Sequence, residues 1–249
     1  MSNQIAKKPL TCSVFSREYW SAAAKEVGST RSLVFAALIV AMRVVVKFFR
    51  IKLGAGLELS FDCYVNALGS IVYGPLMGLM VGAVSDTVGC AVDGFADYFL
   101  PFILVEMSSS FIFGLFLWRR KLTVVRTIVS KFAVNLFCNI ILTSIFVKWS
   151  MYIASGPDGA AAYNLINLVR IVKNLVLFPL EGVLIVVVLS AFLPALKSLK
   201  IVPKEQDELV LKKRHIVLVV VCALVAVALV LFYRFYLNEF ISGHNIKLF

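Results

Sequence analysis

Residues Leu168–Phe192 have the sequence LVRIVKNLVLFPLEGVLIVVVLSAF, an apolar run with basic and amide side chains near its start. A helix needs about 20 mostly apolar residues to cross roughly 30 Å of hydrocarbon, and this run meets that length. Of the 249 residues in the chain, 61% are hydrophobic and 16% are charged, so the apolar surface exceeds what a soluble core could enclose. We therefore predict an all-α, polytopic membrane protein.

Other apolar runs predict a core of six membrane helices and one appended C-terminal helix. The second and third runs meet at Gly74-Pro75, which is a turn signal. The third run carries Gly74, Gly78 and Gly82 at a spacing that lets helices pack closely in lipid. Besides the run quoted above, the predicted spans are Ser32–Phe49, Leu59–Tyr73, Pro75–Val92, a helix ending at Trp118, Ile128–Trp149 and His215–Tyr236.

These spans divide the chain into four regions. Residues 1–29 are predicted to form a cytoplasmic tail with an amphipathic helix at the membrane surface, and residues 30–196 form the six-helix core. Residues 197–214 form a charged cytoplasmic linker, and residues 215–249 add the seventh helix and a tail. The net charge is +11, and most Lys and Arg residues fall on the side of the N-terminus, which the positive-inside rule places in the cytoplasm.

Nine Lys and Arg residues fall on the opposite side, and all but Arg234 and Lys247 gather at two places, the end of the first span and the entry to the sixth. The gathered residues are Arg43, Lys47, Arg50, Lys52, Lys148, Arg170 and Lys173. Two interpretations stay open: each side chain extends from a helix end to the membrane surface, or the clusters bind an anionic ligand.

Polar side chains within the apolar runs are the other candidates for a binding site. Arg170, Lys173 and Asn174 stand at i, i+3 and i+4, so they project from one helix face. Three more polar residues stand inside apolar runs, where an unpaired polar group is costly, and should face the bundle interior. They are Glu106, Asn135 and Asn139. Hydrogen bonding between helices would explain them as well as ligand binding would.

Four stretches of the sequence resemble motifs of a known protein family. Arg170–Glu181 has the pattern R-x-x-K-N-x-x-x-x-P-x-E, and Ala37 and Ala41 form an AxxxA element in the first span. Tyr73–Gly89 and Phe113–Leu117 are the other two. In this order, over about residues 16–196, they resemble the S components of energy-coupling factor (ECF) transporters, specifically the folate family.

The resemblance implies a bundle in the bacterial plasma membrane that binds a vitamin from outside under a lid formed by the first loop. Its partners would be a transmembrane coupling subunit and two ATPase subunits, and Ala37 and Ala41 would leave a smooth groove for a partner helix. Reduced folate would be held by its glutamate tail and by its pterin edge, with no cofactor. The residues expected to bind it are Lys47, Arg50, Glu106, Asn135, Asn139, Arg170, Lys173 and Asn174.

Several alternatives remain beside this interpretation. The chain has no glycine-lysine phosphate-binding loop, so ATP energy would come from partner chains, and its cysteines show no metal-ligand spacing. An S component for another vitamin or heterocycle is the first alternative. An intramembrane hydrolase is the second, although the only histidines, His215 and His244, flank the seventh run. A retinal protein would need a lysine in the middle of that run, and a channel would need a filter-like segment.

Overall fold

The computed structural model describes residues 13–54, 57–92, 94, 99–162, 168–199 and 201–202, with residues 220–221, 224–225, 227–229 and 231–232. The predicted tail before residue 13, most of the linker and most of the appended helix therefore lie outside the described residues. The elements are α1 (Arg17–Val27), α2 (Thr30–Lys47), β1 (Arg50–Gly54), β2 (Leu57–Ser60), α3 (Asp62–Val92), a 3₁₀ turn (Leu100–Phe102), α4 (Ile103–Leu117), α5 (Val124–Val134), a π-helical segment (Asn135–Leu142), α6 (Thr143–Ala162) and α7 (Leu168–Ser198).

The helices confirm the predicted all-helical membrane fold. By length and composition, four described segments could cross a bilayer: Asp62–Val92, which is broken at Gly74, Leu100–Leu117, Val124–Gly159 and Arg170–Ser198. The pair α1 and α2, bent by 73°, could supply a fifth. The number of six core spans stays a prediction.

Helix α3 reverses direction at Gly74, where φ is +79° and ψ is −173°. Before this break, Asn66 and Ser110 of α4 are joined by a hydrogen bond of 2.8 Å from the Ser110 hydroxyl. After it, a Cβ atom added at Gly78 would lie 3.1 Å from the carbonyl oxygen of the same Ser110. A straight helix would separate residues 66 and 78 by about 18 Å. The two halves of α3 therefore run alongside α4 in opposite directions, as the Gly74-Pro75 signal predicts.

Close packing at this break depends on glycine. A Cβ atom at Gly74 would lie 2.7 Å from the Trp118 ring, and one at Gly82 would lie 2.8 Å from the carbonyl oxygen of Glu106. A positive φ at position 74 also favours glycine. The predicted close helix approach is confirmed, and it brings the second half of α3 against the start of α4, where Glu106 lies.

A π-helical segment joins α5 to α6 within one continuous span. The hydroxyl of Thr143 donates to the carbonyl oxygen of Cys138 at 2.8 Å, five residues back. The widened turn buries Asn135 and Cys138. Such segments often occur at functional sites because they turn side chains out of the regular helical register.

The hairpin of β1 and β2 lies between α2 and α3 and was not predicted from the sequence. The strands are antiparallel, with Ile51 opposite Leu59. Leu59 is buried against Val176 and Leu177 of α7. The described part of the first loop is therefore a hairpin packed on α7.

Candidate binding site

A buried arginine joins three helices near the hairpin. Arg43 of α2 is 0% exposed, and its guanidinium donates to both carboxylate oxygens of Asp62 at 2.9 and 2.7 Å. It also donates to the Glu106 carboxylate. Bidentate pairing of this kind is both strong and directional. Arg43 therefore fixes the Glu106 carboxylate, which is 27% exposed and keeps capacity to accept further hydrogen bonds.

Lys47 lies one turn further along α2 and also has a carboxylate partner. Its ammonium nitrogen is 3.5 Å from Asp86 Oδ1. The absence of a side chain at Gly89 leaves room for this lysine, because a Cβ atom there would lie 3.1 Å from the same nitrogen. Lys47 was predicted together with Arg50, and the structure places Lys47 against α3. The side chain of Arg50 lies outside the described residues.

A second polar group links α5, the π-helical segment and α7. The ammonium of Lys131 lies 3.2 Å from Glu181 Oε2, and Asn135 donates to the same oxygen at 2.9 Å. Asn139 in turn donates to Asn135 Oδ1 at 3.1 Å. The predicted residues Asn135 and Asn139 are thus brought together, on a carboxylate that belongs to the α7 motif.

Cys63 connects this group with the Arg43 group. Its sulfur lies 3.5 Å from the Lys131 ammonium, and its neighbour in the chain is Asp62. The two polar groups are therefore neighbours in the bundle, linked through the adjacent residues Asp62 and Cys63 of α3.

The basic residues of α7 have a different environment. Arg170 Nη1 donates to the hydroxyl of Ser144 at a long 3.5 Å, and Asn174 donates to the Arg170 carbonyl within its own helix at 2.9 Å. Lys173 is half-buried, and no described carboxylate lies within ion-pair distance of it, although the field of Glu58 on β2 reaches it. Among the described residues, Lys173 therefore has no ion-pair partner that compensates its charge.

Four members of these groups were not among the predicted binding residues: Arg43, Asp62, Lys131 and Glu181. Lys131 stands at the start of the predicted fifth span, where it counts as an ordinary cytoplasmic charge, and Asp62 stands early in the predicted second span. The position of Lys131 and Asp62 inside predicted membrane helices could have identified them as interior residues, because an ionisable residue there is normally paired inside the bundle.

The AxxxA element lies on the opposite side of α2 from Arg43. Ala37 and Ala41 are exposed. The same side carries exposed large apolar side chains, which are Leu33, Val34, Leu38, Met42 and Val45. This side of α2 is open to lipid or to another helix.

A groove of about 840 Å³ lies at the other end of the bundle, between the start of α2, the middle of α3 and Trp118. Its polar wall includes an ion pair of 2.7 Å between Arg119 and Glu26, and Glu26 also accepts from the Ser32 hydroxyl at 2.8 Å. The groove contains none of the predicted substrate-binding residues, so its size is not evidence for the vitamin site.

The model of one protein family matches residues 27–163, more than half of the chain, and its description is "ECF-type riboflavin transporter, S component". The chain belongs to this S-component family. Because the family consists of transport subunits, this multi-pass S component is not an enzyme, and the hydrolase alternative is set aside.

Two curated relatives are folate transporters named FolT. The one from Clostridium novyi (strain NT) is 23% identical over 153 residues, which cover 61% of this chain and 84% of the relative. The one from Leuconostoc mesenteroides subsp. mesenteroides is 28% identical over 154 residues, which cover 61% of this chain and 80% of the relative.

A solved structure, "Crystal structure of FolT bound with folic acid", is 27% identical and superposes with a TM-score of 0.51. The match covers 62% of this chain and 88% of that chain. The resemblance to ECF S components is thereby confirmed, and both curated relatives and the solved structure are named FolT.

Proposed function

We propose that this S component captures a folate-type vitamin from outside the cell and delivers it with a transmembrane coupling subunit and two ATPase subunits. The observation that carries the proposal is the Glu106 carboxylate, which Arg43 holds in place within a polar interior. The names of the relatives support folate, whereas the family description names riboflavin, so the chemistry of the site has to separate the two.

The ring edge of a pterin suits a fixed carboxylate. Its 2-amino group and ring N–H are adjacent donors, so the edge can make two parallel hydrogen bonds to Glu106, as a guanidinium would. The corresponding edge of a flavin has one N–H between two carbonyl oxygens, and those oxygens would face the carboxylate unfavourably. Glu106 therefore favours the pterin.

The glutamate tail of folate supplies the second distinction. Its carboxylates would meet Lys173 and Arg170 at the start of α7, with Lys47 and Arg50 at the rim and Asn174 beside them. Lys47 would contribute less, because Asp86 already shares its charge. Riboflavin is uncharged and would leave Lys173 without a counter-ion in a half-buried position, which is costly.

The orientation follows from the charge bias of the sequence. With the N-terminus in the cytoplasm of a bacterial cell, the hairpin end of the bundle faces outward. The hairpin would close over the ligand as the lid, since Leu59 packs on α7 beside Lys173. Arg43 and Glu106 then lie below this entrance.

The exposed side of α2 is proposed to bind the coupling subunit. Methyl side chains at Ala37 and Ala41 let another helix approach closely. Replacing both with Trp should abolish vitamin uptake by cells that carry the complete transporter, while the purified variant should bind folic acid as tightly as the parent protein. Uptake at the parental rate would rule out this docking face.

The ligand is tested by titrating the purified protein with folic acid and with riboflavin in a calorimeter, and by mass spectrometry of any molecule that co-purifies. We expect folic acid to bind and riboflavin to fail. Glu106→Gln should weaken folic acid at least about tenfold. The control Lys121→Gln, which removes a charge from an exposed residue outside the site, should leave the affinity unchanged. Tight riboflavin binding without folic acid binding would establish the alternative ligand.

A further inference from the structure

Lys131 has an environment that its sequence position does not explain. It is 1% exposed and reaches only Glu181 Oε2, at 3.2 Å, and Cys63 Sγ, at 3.5 Å, among the described residues. A buried ammonium is expensive unless it is paired, and two apolar residues of similar size could fill the space without that cost. The ion pair therefore calls for an explanation other than packing.

The charge of Glu181 sets the direction of a hydrogen-bond relay. An ionised carboxylate only accepts hydrogen bonds, so Asn135 must turn Nδ2 toward it, at 2.9 Å. The Oδ1 atom of Asn135 then faces Asn139, which must donate through its own Nδ2, at 3.1 Å. The orientation of both amides thus follows from the network, which is the proper basis for assigning them.

The relay ends on an acceptor. With Nδ2 turned toward Asn135, the Oδ1 atom of Asn139 lies on the other side of the amide, and no described residue donates to it. It is available to a donor on a ligand. If the hydrogen bonds of the relay ran in the opposite direction, Asn139 would present its Nδ2 atom, a donor, instead of Oδ1.

We propose that Lys131 is a positioning residue for ligand specificity: it pairs with Glu181 Oε2, the atom to which Asn135 donates, and thereby fixes the Glu181–Asn135–Asn139 relay in one direction. The fixed relay presents Asn139 Oδ1 as an acceptor to heterocycles that carry N–H donors. The proposal rests on the proposed function, because a pterin is a ring of this class. It adds that specificity depends on a lysine that touches no ligand.

The central test removes the ion pair without leaving a buried charge. In the double variant Lys131→Met/Glu181→Gln both side chains keep their size. The new amide at position 181 can either donate or accept, so the relay loses its fixed direction. Folic acid should bind at least about tenfold more weakly, while the thermal midpoint without ligand should equal or exceed that of the parent. Parental affinity in a folded double variant would overturn the proposal.

A second test needs no ligand. Asn139→Asp places a carboxylate against another acceptor, Asn135 Oδ1. In the parent protein Asn135 cannot turn to donate to this carboxylate, because its Nδ2 atom is held by Glu181. The thermal midpoint should therefore fall by about 5 °C. In the double variant Asn135 can rotate and donate to the new carboxylate at position 139, so the same substitution should cost much less. Equal shifts in the two backgrounds would overturn the proposal.

The outcomes separate the relay from the proposed function. If the parent protein binds no folic acid, the proposed function fails, yet the Asn139→Asp comparison still decides whether Lys131 fixes the relay. If the double variant does not fold, Asn135→Leu interrupts the relay and keeps the ion pair. It should also weaken folic acid at least about tenfold, and parental affinity there would contradict the proposal.

Discussion

Two groups of basic side chains lie near the hairpin end of the bundle, one on α2 and one on α7, and they differ in their counter-ions. On α2, Arg43 pairs with Asp62 and Glu106, and Lys47 pairs with Asp86. On α7, Arg170 makes a long hydrogen bond to Ser144. Lys173 has no described carboxylate within ion-pair distance.

The difference separates structural charge from charge that remains for a ligand. A buried cation with two carboxylates has most of its electrostatic requirement satisfied within the protein, so its removal should mainly affect folding. A half-buried cation without such a partner still attracts anions and should mainly affect binding. Both groups stand out equally in the sequence, because each interrupts an apolar run.

The largest expected effect is on folding, from Arg43→Met. The substitution leaves the buried Asp62 carboxylate and the partly exposed Glu106 carboxylate without their counter-ion, which should cost about 3–5 kcal/mol of stability. Thermal unfolding of the detergent-purified protein would measure this as a large drop in midpoint. A midpoint within about 2 °C of the parent, a shift worth about 1 kcal/mol or less in a protein of this size, would mean that the α2 group is not structural.

The next effect is on binding, from Lys173→Ala and Arg170→Ala. Each removes a cation that the folate tail would meet, so each should weaken folic acid at least about tenfold, roughly 1.4 kcal/mol. The thermal midpoint of Lys173→Ala without ligand should stay near the parental value, since no described carboxylate lies within ion-pair distance of Lys173. Calorimetric titration gives the affinities, and unchanged affinity in both variants would place the tail elsewhere.

A dependence on salt would sharpen the same point. Because Lys173 is half-buried and lacks a paired carboxylate among the described residues, raising the ionic strength should weaken folic acid binding to the parent more than binding to Lys173→Ala. Titrations at low and high sodium chloride provide the comparison. Identical salt dependence in parent and variant would argue against contact between Lys173 and the ligand.

The smallest effect is expected from Lys47→Met, paired with Asp86→Asn as its matched variant. The Lys47–Asp86 contact is an ion pair of 3.5 Å with one carboxylate, whereas Arg43 pairs with two, so its loss should lower the thermal midpoint less than Arg43→Met does. Folic acid affinity should change less than about threefold in Lys47→Met, well under 1.4 kcal/mol. A tenfold loss would show that Lys47 belongs with the α7 group.

Local sequence signals predicted much of the fold. The Gly74-Pro75 turn and the glycines at positions 78 and 82 are confirmed, because a positive φ and close helix approach depend on the residue itself and its near neighbours. The β1–β2 hairpin was not predicted, since its packing depends on Val176 and Leu177 from a distant helix. The helix count and the substrate residues stay predictions.

For the candidate site, the sequence by itself determined that polar residues such as Glu106, Asn135 and Asn139 lie within the membrane bundle, because apolar flanks oblige them to find partners there. Only the tertiary structure decided which charges are compensated. Arg43 meets carboxylates 19 and 63 residues away, and Lys131 and Asn135 meet on Glu181, which lies 46 residues beyond Asn135. Ion pairing depends on distance in space, and helix packing sets that distance independently of separation along the chain.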